Sequence, residues 1–138
     1  MAERGGLEVA VDRGASVIAR SGPLVVGIGA SAGGLIAYEA FFAAMPADSG
    51  MVFVLVQHLD PDHESALAEI LARHTAMPVD FARHGMIPVA NTVTILPPGA
   101  VLTIHEGHLR LTRAPSVKAR RMVVDLFLVS LADDQGPN

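Results

Sequence analysis

PLVVGIGASAGGL, residues 23–35, decides how the rest of this 138-residue chain is read. An apolar run (Leu24, Val25, Val26, Ile28) leads into Gly29-Ala30-Ser31-Ala32-Gly33-Gly34, and an apolar helical pattern begins at once. A strand, a tight turn of small residues and a helix form the setting in which a G-x-S-x-G serine stands clear of a sheet as a nucleophile. A turn that sharp requires glycine or alanine beside the serine, because a larger Cβ would clash. The hydroxyl then sits at a helix N-terminus, whose free N–H groups can receive an oxyanion. Ser31 is the candidate nucleophile on these grounds. The same stretch also fits G-x-G-x-x-G/A through Gly27, Gly29 and Ala32, with a dinucleotide or phosphate in the loop and Ser31 a spacer. That reading asks for an acidic residue closing the second strand, where the sequence has Gln57-His58. A plain tight turn is the third reading, and the residues alone leave all three open.

A chain of this length forms one domain with a single core. A hydrophobic fraction of 51% and a mean hydropathy of +0.42 suit a domain buried on both faces of a sheet and exclude a disordered one. Net charge of −4 sets nucleic acid aside as a partner. The absence of cysteine removes disulfide and thiolate chemistry and suits the cytoplasm. No apolar stretch reaches the ~18 residues of a membrane span, so no membrane insertion is expected. Residues 1–22 lack the basic start and apolar block of a signal peptide. They are expected to be a flexible leader, with residues 23–138 the folded domain.

Residues 35–45 are apolar on most sides and read as a helix packed on a sheet, closed by Pro46. The continuous run at residues 51–56 has the character of a central parallel strand. Strand, helix and strand make a right-handed βαβ unit, so the two strand ends share one edge. Ser31 follows the first end and His58 the second, on the edge where open α/β sheets bind ligands. His58 is accordingly the candidate general base. His58-Leu-Asp60-Pro61-Asp62-His63 also resembles the histidine-rich loop of a metallohydrolase, but Pro61 and the lack of further well-spaced histidines weigh against a metal. Asp60 or Asp62 is read instead as a helix cap, with Pro61 in the first turn. No metal and no cofactor are therefore expected.

A helix follows over residues 64–74, then an edge strand over 77–81, since Pro78 cannot donate to a ladder. Three short strands come next, at 92–96, 101–105 and 108–112, the last two a hairpin about Glu106-Gly107. Residues 114–121, with Lys118, Arg120 and Arg121, read as a solvated loop suited to an acidic partner. An amphipathic helix over 122–132 completes a three-layer α/β fold, a mostly parallel, Rossmann-like sheet with an appended antiparallel β-hairpin.

VVGIGASAGG, FVLVQHLDPDHES, NTVTILPPG and VVDLFLVSLADDQG, in that order, resemble the catalytic domain of the chemotaxis receptor methylesterases of the CheB type. The likeness is to the variety fused to a methyltransferase. It implies hydrolysis of γ-glutamyl methyl esters on the cytoplasmic helices of methyl-accepting chemoreceptors, and in some members deamidation of receptor glutamines. It also implies a methyltransferase domain or signalling proteins as further partners. By position Ser31 matches the family's nucleophile and His58 its general base, while Ala32 stands where many members have threonine. The family's third catalytic residue is an aspartate in a glycine-rich loop after a later strand. Asp60, Asp62, Asp125, Asp133 and Asp134 do not match that motif, so the resemblance implies a domain incomplete at its C-terminus and slowed in turnover. Regulated members carry an N-terminal receiver domain, for which residues 1–22 are too short. The alternative function is non-catalytic: a domain that binds receptors or signalling partners without turnover.

Overall fold

The computed structural model describes residues 22–58 and 66–137. Residues 1–21 of the expected leader, and the expected cap at Asp60, Pro61, Asp62 and His63, lie outside the described residues. The chain runs β1 (Val25–Ala30), a 3-10 turn (Ala32–Gly34), α1 (Leu35–Ala44), β2 (Val52–Gln57), α2 (Leu67–Ala72), β3 (Val79–Phe81) and β4 (Thr92–Ile95). It continues through β5 (Ala100–His105), β6 (His108–Arg113), α3 (Val117–Arg121) and α4 (Val123–Gln135).

Every residue of β2 is buried, as its unbroken β-branched and aromatic run requires. It lies between β1 and β4 in a parallel sheet of order β1-β2-β4-β3, with β3 the expected edge strand beyond Pro78. Alternation along β2 divides the core in two. Phe53 and Leu55 join Tyr38 and Phe42 of α1 and Leu67 and Leu71 of α2 on one face. Phe42 meets Phe53 edge to face, with ring centroids 5.5 Å apart. Val52, Val54 and Val56 face the hairpin and α4, packing with Leu102, Ile104, Leu109, Val123 and Phe127. The layers are therefore α1 and α2, the sheet, then the hairpin with α4. Among the described residues no helix is long and apolar enough to cross a membrane.

Local chemistry fixes the joints. Glu106 (φ 49) and Gly107 (φ 76) both take the left-handed conformation demanded by a two-residue turn whose twist matches the β5–β6 pair. Asn91 (φ 63) enters β4 while its Oδ1 accepts the Gly50 N–H at 2.7 Å, tying the entries of β4 and β2 together. The backbone of residues 85 and 86 bonds to Leu109 of β6, each N–H to O distance 2.8 Å, which covers that edge of the hairpin. One expectation is corrected. The stretch carrying Lys118, Arg120 and Arg121 is a short helix, α3, whose N-cap Ser116 Oγ accepts the Ala119 N–H at 3.1 Å.

Candidate active site

Ser31 and His58 are reached by continuing two paired strands by one step. The β1–β2 register ends at Ala30 opposite Gln57, so the next residues on each strand are Ser31 and His58. Ser31 keeps extended backbone angles (φ −85, ψ 177), so the strand's alternation runs through it. Gly27 and Gly29 of β1 face α4, and Val54 and Val56 of β2 line the same side. By that alternation Ser31 and His58 fall on the α4 side of the sheet, on neighbouring strands about 4.8 Å apart. Both residues are exposed. No hydrogen bond joins their side chains, and Ser31 does not cap the turn that follows it.

The extended serine alters the reading of its glycines. A strained elbow would hold Ser31 outside the ordinary backbone regions, and it does not. A Cβ at Gly29 would overlap Val124 Cγ1, and one at Gly27 would come within 2.9 Å of Leu131 Cδ2. A Cβ at Gly34 would stand 2.7 Å from that of Ala30, where the turn folds back on β1. Gly33 has open space on that side. The first two glycines therefore let α4 lie against β1. They are used in packing rather than held open for a pyrophosphate, which counts against the dinucleotide reading.

His58 lines a cleft at the C-terminal ends of β2 and β4 with Gln57, Pro97, Gly99, Arg120 and Val123. The free space is only ≈ 10 Å³, about the room one water needs. Arg120 and His58 thus border the same water-sized space. Neither Gln57 nor Arg120 was singled out as a site residue from the sequence. The amide of Gln57 interrupting an apolar strand was the one available signal, and Arg120 is joined to the site only by the hairpin's return. Gln57 is 7% exposed, and its Oε1 has no partner among the described residues. Tyr38 Oη, on the opposite face, is also buried without one, and burial raises its pKa above the usual phenol range.

Other features lie elsewhere. A cavity of ≈ 460 Å³ lies among Pro23, Ile87, Glu106, His108 and Gln135, at the strand-entry end of the sheet, away from Ser31 and His58. Its size does not make it the reaction site, because it lacks a nucleophile paired with a base. Asp134 receives the Gly107 N–H at the hairpin turn, Oδ2 at 3.2 Å, and so lies at that same remote end. Among the described residues no group of three or more metal-ligating side chains is found.

The family described as CheB methylesterase matches residues 26–138. The chain is similar to protein-glutamate methylesterase/protein-glutamine glutaminase 3 of Burkholderia orbicola (strain AU 1054), 39% identical over 115 residues, 83% of this chain and 34% of that protein. It is also similar to protein-glutamate methylesterase/protein-glutamine glutaminase 2 of Cupriavidus metallidurans, 37% identical over 119 residues, 80% of this chain and 33% of that protein. It thus spans about a third of the length of these relatives. Among solved structures it resembles the CheB methylesterase catalytic domain of Thermotoga maritima, with a TM-score of 0.69 and 26% identity over 83% of this chain and 62% of that one.

Proposed function

Because the chain belongs to the CheB methylesterase family, we propose that it serves as a protein-glutamate methylesterase domain, a serine ester hydrolase with Ser31 as nucleophile and His58 as general base. The observation that carries this reading is the β1–β2 register, which ends one step before Ser31 and His58. In the proposed reaction Ser31 Oγ attacks the γ-carbonyl of a glutamate methyl ester as His58 takes its proton. The N–H groups of Ala32 and Gly33, ahead of α1, are suited to the oxyanion that develops. Collapse expels methanol, which leaves with the proton held by His58. Water, deprotonated by His58, then cleaves the acyl-serine and releases a glutamate carboxylate. With a glutamine substrate the same steps expel ammonia in place of methanol.

The substrate we infer is the cytoplasmic helical region of a chemoreceptor, with the reaction in the cytoplasm and a methyltransferase or other signalling protein as a further partner. We also infer that residues 1–22 are a leader, and that residues 23–138 need a carboxylate from a further part of the domain to orient His58. The match covers 62% of the length of the Thermotoga domain. Loss of an orienting carboxylate costs on the order of 10⁴ in kcat in a serine protease, which is the scale of the contribution inferred for that group.

The test is methanol release from a receptor peptide carrying a γ-glutamyl methyl ester, with S31A and H58Q beside the unaltered chain. S31A is expected to lower the rate by about 10³ or to the uncatalysed level. An S31A rate equal to that of the unaltered chain would remove Ser31 from the mechanism.

A further inference from the structure

Between Gly107 and Val124 the sequence has five cations (Arg110, Arg113, Lys118, Arg120, Arg121) and no carboxylate, in a chain whose net charge is −4. Three of them stand on α3, a helix that buries none of its residues and is held at its start by the Ser116 cap. None of these three forms an ion pair with a described carboxylate. Lys118 and Arg121 are exposed, but Arg120 is half-buried and borders the water-sized space that His58 also lines. The other walls of that space, Gln57, Leu96, Pro97, Gly99, Ala100 and Val123, supply no counter-charge, and the Gln57 amide oxygen is the one neutral side-chain acceptor among them.

A half-buried guanidinium is costly without an acceptor, and its planar fork matches a carboxylate through two parallel N–H···O bonds. We propose that Arg120 is a specificity-determining residue that holds a carboxylate side chain of the substrate polypeptide next to the glutamate methyl ester, so that the site selects esters embedded in acidic sequence. This rests on the esterase reading for what is turned over, while the binding itself does not depend on turnover. Lys118 and Arg121 extend the same positive surface outward. They draw an acidic segment toward the sheet edge, an effect that weakens as salt rises.

The experiment uses two peptides that differ only in the residues flanking one γ-glutamyl methyl ester, glutamate in one and glutamine in the other. The unaltered chain is expected to prefer the acidic peptide in kcat/KM, mainly through KM. In R120Q that preference is expected to fall about tenfold, with R120K restoring part of it. Circular dichroism and melting confirm that each variant is folded. The same peptides are titrated against S31A and S31A/R120Q, which reports binding where no turnover occurs. If neither peptide is hydrolysed but S31A still prefers the acidic one through Arg120, the esterase reading fails and this inference stands. Equal binding of the two peptides by S31A, or an undiminished preference in either R120Q background, overturns it.

Discussion

Gly29 and Gly33 sit on either side of Ser31 in one short motif, yet the structure gives them different work. Gly29 faces Val124, and an added Cβ would overlap that side chain, whereas Gly33 borders open space with no positive φ to protect. G29A should therefore cost about 1–3 kcal/mol through overpacking, and V124A in the same chain should recover much of it. G33A should change stability by no more than about 0.5 kcal/mol. Thermal and urea melts of the four proteins check this, and equal losses at the two glycines would return both to a backbone role. The sequence displayed the demand for a small residue in this stretch. It could not display which neighbour made the demand, because Val124 arrives from the other end of the fold.

Elements with a strong period or a hard constraint were legible before any coordinates. The all-apolar β2, the Pro78 that limits β3 to an edge, and the Glu106-Gly107 turn between β5 and β6 each have a single physical reading. The parallel order of β1 and β2, which brings the strand ends before Ser31 and His58 to one edge, was legible as well. α3 was not legible, because it buries no residue and so has no apolar stripe to reveal it. Its start signal, Ser116, lay within a run of charges that resembled a loop. Since the Ser116 Oγ accepts the Ala119 N–H at its start, S116A should loosen α3 by about 1 kcal/mol while the melting temperature of the whole domain barely moves. Hydrogen exchange is the measurement: the Ala119 and Arg120 amides should exchange faster in S116A and normally in S116D. Unchanged exchange would mean that α3 is held by something other than its cap. The cleft shared by His58 and Arg120 was hidden for a related reason: α2, β3, β4 and the hairpin separate the two residues in sequence and the fold reunites them.

At the scale of the molecule, β1 is one of the two edge strands of the parallel sheet among the described residues. β1 pairs only with β2 among the described residues, and a groove of ≈ 220 Å³ lined by Leu24, Leu128, Leu131 and Ala132 runs beside it. Leu24 is 53% exposed there. A free strand edge beside apolar side chains favours pairing between molecules. L24K is expected to reduce concentration-dependent association, seen by sedimentation or light scattering, while shifting stability by less than about 0.5 kcal/mol. An unchanged mass profile would mean that the edge is inert. The two faces of the same sheet also differ in when they can close during synthesis. The buried residues of the α1–α2 face all lie between Tyr38 and Ile95, so that layer has its components once β4 has left the ribosome. The other face offers Val52, Val54, Val56 and Ala82 at the same moment, but most of their buried partners, from Leu96 through Phe127, have not yet been made. A nascent chain therefore passes through a stage with one finished face and one bare hydrophobic face. In that interval the bare face is the part of the growing protein most open to aggregation.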